Sequence, residues 1–286
     1  MIIDRLYHDV KQKGPVCVGL DTQFSFLPAC MAQGEGSEAE KILAFNREVI
    51  DATADAAGCF KLQIACYEAL GIEGLRAYAK TLAYLREKGC VAIADVKRGD
   101  ISSTAAQYAK AHFSGDFEAD LITVNAYMGE DAVSPYYDYL KNKEKGLFLL
   151  VKTSNPSGAD LQDEKLASGE SVYLRMAKKA AAWGEAFLGD CGFSSIGAVA
   201  GCTYPAQFAD IHALMPHSFF LIPGYGAQGG TGKDVAAFFK DGVCGVVNSS
   251  RALLTAHKGK TEGTDFADYT RKAVLAMRED ISGVWL

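Results

Sequence analysis

The stretch CVAIADVKRGDIS, Cys90–Ser102, decides how the chain folds. Its first eight residues alternate along a strand: Val91, Ile93, Asp95 and Lys97 share one face, and Ala92, Ala94 and Val96 share the other. If the second, wholly apolar face packs against helices, Asp95 and Lys97 point into the interior of a sheet near its carboxyl end.

Seven more β-rich runs flank this one: VCVGLD, CFKLQIA, LITVNAY, GLFLLVKT, SIGAVAG, FFLIPGYG and GVVNSS. Stretches of helical period lie between them, among them SEAEKILAFNREVIDATADA, YEALGIEGLRAYAKTLAYLREKG, STAAQYAKAHF, EDAVSPYYDYLKNKE, VYLRMAKKAAAWGEAFLG, PAQFADIHALM and KDVAAFFKD, with a last one near DFADYTRKAVLAMRED. Strict βα alternation implies a parallel sheet. Eight such units in 286 residues fit a closed (β/α)8 TIM barrel better than an open sheet. No linker-like or low-complexity segment divides the chain, so residues 1–286 read as a single barrel domain.

A net charge of -6 argues against broad nucleic-acid binding, which depends on neutralising phosphates, but leaves room for a local cationic pocket. No apolar run approaches the ~18 residues needed to span a bilayer. The amino terminus, MIIDRLYHDVKQKG, lacks a signal-peptide core. The eight cysteines form no C-x-x-C and sit mostly in or beside apolar runs, the pattern of reduced thiols in a cytoplasmic protein. The five histidines, His8, His112, His212, His217 and His257, show no metal-ligand spacing, so surface roles and no metal are expected.

The same alternation places further charges. In CFKLQIA, Phe60, Leu62 and Ile64 form the apolar face and leave Lys61 and Gln63 inward; in VCVGLD, Cys17, Gly19 and Asp21 align. Three neighbouring strands thus deliver Asp21, Lys61, Asp95 and Lys97 towards one cavity. A satisfied buried salt-bridge network is one reading. An ion pair at ~4 Å gains about 4 kcal/mol at an effective dielectric of 20, and desolvation costs a comparable amount. Such a network is a poor stabiliser, which favours a functional role. Asp100 either joins this site or caps the helix that follows.

GYGAQG, Gly224–Gly229, matches a dinucleotide fingerprint but follows the seventh strand, with no acid for a ribose after the next. It suits a barrel phosphate site, in which Gly-rich backbone, Gln228 and Arg251 face one anion; a tight turn beside a surface arginine is the alternative. Lys152 ends the fifth strand, where a desolvated lysine can form a Schiff base, and KTS beside a glycine loop resembles part of the deoxyribose-phosphate aldolase pattern. The long segments after strands one and five (TQFSFLPACMAQGEG and SNPSGADLQDEKLASGE) leave the face where barrels keep their active sites, and read as lids or as plain insertions.

The pattern D-x-K-x-x-D-I-x-x-T, present as Asp95, Lys97, Asp100, Ile101 and Thr104, resembles the signature of the orotidine 5′-phosphate decarboxylases, in particular their longer, second bacterial subfamily. VGLD, the strand-two lysine, TSNPSG, PGYGAQGG and the arginine after strand eight extend the resemblance over nearly the whole chain. The resemblance implies cofactor-independent decarboxylation of orotidine 5′-phosphate to UMP. Lys97 would donate the proton, held between Asp95 and Asp100 with Lys61 completing the charged array. Asp21 and Lys61 would bind ribose hydroxyls, Ser154 the pyrimidine, and Gln228 and Arg251 the phosphate. Asp100, Ile101 and Thr104 would come from the neighbouring subunit of a homodimer. Asn125, ending strand four, is a weaker match to the family. The related Mg²⁺-dependent 3-keto-gulonate 6-phosphate decarboxylases and hexulose-phosphate synthases, a Schiff-base aldolase centred on Lys152, and a non-catalytic nucleotide binder are the competing readings.

Overall fold

A computed structural model of the chain describes residues 1–142, 145–202, 205–226, 229–236, 239 and 242–282. Eight parallel strands, β1 (Val16–Gly19), β2 (Cys59–Gln63), β3 (Ala92–Arg98), β4 (Leu121–Val124), β5 (Gly146–Lys152), β6 (Ser194–Ala200), β7 (Ser218–Ile222) and β8 (Gly245–Ser249), pair in sequence order. β8 closes on β1 through Val16–Val247 and Cys17–Asn248 pairs. The expected (β/α)8 TIM barrel is therefore the fold.

Strand alternation divides the apolar residues into two cores. Cys17, Cys59, Val91, Ile93, Leu121 and Phe148 are among those that fill the barrel interior. Val18, Phe60, Leu62, Ala92, Ala94 and Ile122 face the surrounding helices. The interior needs a floor, and the helix Ile2–Lys13 supplies it: Ile2, Ile3, Leu6 and Val10 join the interior core. Sequence reading gave this amino-terminal stretch no structure, although its apolar residues already fall at helical spacing.

The helices follow their local chemistry. Glu38–Thr53 starts on a capping box, with Ser37 and Glu40 satisfying each other's backbone amides. The expected single helix after β2 is two, Ile64–Glu68 and Gly71–Glu87, because Gly71, where the second begins, takes φ +65°. The segment after β4 forms two short 3₁₀ turns and then Tyr137–Asn142, since Pro135 cannot continue a regular helix. The long segments after β1 and β5 are not structureless: the first holds a turn at Phe24–Phe26 and a helix Ala29–Ala32, the second a helix Ala159–Gln162.

All eight cysteines are free thiols. Two histidines depart from the expected surface roles: His112 and His257 are buried. The sequence gives them helical and loop positions, but both rings pack on aromatic side chains, His112 on Phe117 and His257 on Phe45 and Phe266. Among the described residues no helix is long and apolar enough to cross a membrane.

Candidate active site

At the carboxyl ends of β1, β2 and β3 four charged side chains meet. Lys61 is buried, with Nζ 2.9 Å from Asp21 Oδ1 and 3.2 Å from Asp95 Oδ2. Lys97 Nζ lies 2.6 Å from Asp95 Oδ1. The array alternates in sign, and neutral donors complete it. Gln63 Nε2 donates to Asp95 Oδ2 at 3.0 Å, Thr123 Oγ1 to Asp95 Oδ1 at 2.8 Å, and Ser250 Oγ to Asp21 Oδ2 at 2.7 Å. Gly19 makes room for this arrangement, because a Cβ there would meet Ser250 Oγ at 1.9 Å.

Burial opposes the charge on Asp95, but Lys61 and Lys97, with the hydrogen bonds from Lys97 and Thr123, outweigh it and bring its pKa down to about 2. Burial likewise opposes the Lys61 ammonium, and the carboxylates of Asp21 and Asp95 reverse that, pushing its pKa well up. Both groups stay ionised through the neutral range, so the site presents fixed charges.

These groups line a cavity of about 640 Å³, a size that suits a nucleotide-sized ligand. Its opposite wall is apolar, from Leu150, Val199, Leu221 and Pro223. Ser154 and Arg251 line it as well, so six of the sequence-derived residues (Asp21, Lys61, Asp95, Lys97, Ser154 and Arg251) share one chamber. The segment carrying Ser154 is anchored by Gln162, whose side-chain amide bonds both the backbone N–H and the hydroxyl of Thr153. Close approach of Ser154 to the end of β6 requires Gly201, where a Cβ would lie 2.9 Å from Ser154 Cα.

Three expected residues do not line this chamber. Asp100 accepts the Ile101 N–H at 2.8 Å, and Ile101 and Thr104 are exposed. Nor does Asp100 cap the next helix, which starts after Ile101 without a side-chain cap. Gln228 lies outside the described residues. The glycine loop after β7 closes partly on itself. Gly226 N–H bonds Gly230 O at 2.8 Å and Gly230 N–H bonds Gly224 O at 3.1 Å, so these two amides are engaged within the loop. Asp280, in the helix Phe266–Ser282, fastens both ends of the loop, accepting from Tyr225 Oη at 2.7 Å and Gly232 N–H at 2.9 Å.

Lys152 is buried but turned away from the chamber. Its Nζ sits 2.6 Å from Asp163 Oδ1 and 5.5 Å from the Tyr173 ring centre. The cause is a bulge: Leu150 pairs with Val199 and Lys152 with Ala200, so two steps of β5 match one of β6 and Lys152 moves to the helix-covered side. This geometry counts against the Schiff-base reading.

Sequence reading gave no role to Gln63, Thr123 or Ser250. Thr123 was findable, since LITV puts it on the same face as interior Leu121. Among the described residues no group of three or more His, Cys, Asp or Glu side chains is placed to hold a metal ion. The ammonium of Lys61 stands between Asp21 and Asp95 instead. Chemically, the chamber offers a half-exposed ammonium to a developing negative charge, an apolar wall to a planar ring, and a guanidinium to an anion.

Known proteins share this arrangement of chain. An orotidine 5′-phosphate decarboxylase of Clostridium novyi is 51% identical over 282 residues, covering 98% of this chain and 98% of its own. That of Clostridium kluyveri is 50% identical over 282 residues, with 98% and 97% covered. The structure of Leishmania donovani OMP decarboxylase superposes with a TM-score of 0.77 at 26% identity, covering 99% of this chain and 98% of the other. Residues 14–266 match the family model described as orotidine 5′-phosphate decarboxylase / HUMPS, and the chain belongs to that family.

Proposed function

We propose that the chain decarboxylates orotidine 5′-phosphate to UMP, without a cofactor, in pyrimidine biosynthesis. One observation carries the reading: the Lys97 ammonium faces the cavity while its partner Asp95 is held by two lysines and two neutral donors. When the C6–carboxylate bond breaks, its electron pair stays on C6 and CO₂ departs. The ammonium of Lys97 stabilises that pair and then transfers a proton to C6, and the neutral amine regains a proton from water. Asp21 and Lys61 bind ribose hydroxyls and Ser154 the pyrimidine. Arg251, with Gln228, holds the phosphate, whose remote binding energy organises the reacting end.

Asp100, Ile101 and Thr104 act in this reading from a second copy of the chain. Support comes from their position outside their own chamber and from the apolar surface beside them: Ile101, Tyr127 and Met128 are 44%, 76% and 49% exposed at the neighbouring ends of β3 and β4. A homodimer covering that surface brings Asp100 to the partner's Lys97. Eight free thiols fit a cytoplasmic protein.

The test is an ultraviolet assay of orotidine 5′-phosphate loss, with and without EDTA. Turnover that survives EDTA is expected. Activity lost to the chelator would favour a metal-dependent member of the family, and UMP binding without turnover would leave only a nucleotide binder.

A further inference from the structure

We infer that Thr123 is the positioning residue that sets the reacting ammonium of Lys97, an inference that rests on Lys97 being the proton donor. Thr123 is buried in β4, and its hydroxyl uses its full bonding capacity at one point. It donates to Asp95 Oδ1 at 2.8 Å and accepts the backbone N–H groups of Val96 at 3.0 Å and Lys97 at 2.9 Å.

The need for such a group lies in the strand itself. Ala94 pairs with Ile122 and Arg98 with Val124, so four steps along β3 are matched to two along β4. The amides of Val96 and Lys97 fall in this irregular stretch, and a side chain of β4 receives them. Lys97 there takes φ +44°, a left-handed conformation that a lysine keeps only where its surroundings over-determine it. Thr123 supplies that determination. Through one oxygen it holds the peptide that carries Lys97 and the carboxylate oxygen to which Lys97 Nζ is bound at 2.6 Å. It lines the chamber without carrying a charge and needs no contact with the reacting carbon; it acts through Lys97 and Asp95.

Valine has the shape of threonine without the hydroxyl, and serine keeps the hydroxyl without the methyl. In Thr123→Val, kcat is expected to fall about 100-fold, the cost of a misplaced catalytic group, with KM and the affinity for UMP changed by less than about threefold. Thr123→Ser is expected to restore most of kcat. Rates are expressed per site titrated with UMP, so that a loss of folded protein does not count, and Thr123→Ala replaces the valine variant if that one does not fold. A kcat in the valine or alanine variant within about threefold of the parent, or a serine variant as impaired as valine, overturns the inference. Lys97→Ala is assayed beside them. If it retains turnover, the reading of Lys97 fails; if it is inactive while Thr123→Val is not, the assignment of Thr123 alone fails.

Discussion

Lys97 Nζ stands 2.6 Å from Asp95 Oδ1, yet the lysine side chain is 46% exposed and the aspartate 10%. The carboxylate is fixed in the wall and the ammonium reaches out of it. Removing Lys97 therefore leaves Asp95 paired with Lys61 and leaves the fold undisturbed. In Lys97→Ala, kcat is expected to fall by about 10²- to 10⁴-fold or beyond detection, the range lost with a positioned proton donor. UMP binding should remain measurable by titration. Near-normal turnover would end the assignment.

Lys61 is a different lysine. It is buried between Asp21 and Asp95, and deleting it removes the buried counter-ion that the two carboxylates share. Among the described residues that leaves Asp21 without a cation and the deeply buried Asp95 with Lys97 alone. Lys61→Met is expected to cost about 3 kcal/mol or more of folding stability, beyond any loss of activity. Urea unfolding at neutral pH measures this. A midpoint unchanged from the parent would mean that water or a rearranged side chain compensates the carboxylates.

Arg251 lines the chamber from just beyond β8, exposed and on the same rim as Gly224 and Tyr225. A guanidinium that holds a phosphate remote from the reacting carbon contributes chiefly to binding. Arg251→Ala should raise KM by about 10-fold or more with a smaller change in kcat, read from steady-state rates over a range of substrate. An unchanged KM would place the phosphate elsewhere.

If Asp100 serves the second copy's chamber, two inactive variants should rescue each other. In a hybrid dimer of Lys97→Ala and Asp100→Ala chains, one chamber has both residues intact and the other has neither. Equal mixing with exchange should restore roughly one quarter of the sites. Activity of the mixture no greater than the sum of its parts would show that Asp100 acts within its own chain or not at all.

What the sequence made legible follows from what alternation can and cannot encode. Asp95 and Lys97 were placed by the period of CVAIADVK, and Lys61 and Asp21 by the same rule on neighbouring strands. Thr123 obeyed that rule too and was passed over, because a lone hydroxyl in LITV carries no charge to draw notice. Lys152 ends β5 and is buried, as its position in the sequence suggests, but its direction is not legible there: the bulge between Leu150 and Lys152 breaks the period, and a bulge is a property of two paired strands that neither sequence announces. The left-handed turn at Lys97 is hidden in the same way, since it arises where β3 and β4 fall out of register. His112 looked like a surface residue because its helix alternates small and polar residues, while the aromatic ring that covers it, Phe117, comes from the following turn.

That buried histidine gives the fold an acid limit. Arg98 Nε donates to His112 Nε2 at 3.4 Å, which requires an unprotonated nitrogen there, and burial together with the Arg98 charge brings the pKa of His112 down to about 4. In the unfolded chain the same ring titrates near 6.5. As pH falls below 6.5 the unfolded state binds the proton and the folded state does not. Stability is therefore full above that value and is lost progressively until pH drops through about 4. Asp95, with its pKa at about 2, adds a loss of the same sign only below the ordinary carboxylate range, so the two windows are separate. Between pH 7.5 and pH 5 the His112 contribution amounts to about 2 kcal/mol by linkage. His112→Gln keeps an acceptor for Arg98 and cannot titrate. Urea unfolding of this variant should therefore show a much flatter dependence on pH over that interval. A residual slope is expected from His257, whose pKa burial also lowers. A slope as steep as the parent's would show that His112 is already protonated in the folded protein, and that Arg98 and the imidazolium are held side by side by something other than the hydrogen bond between them.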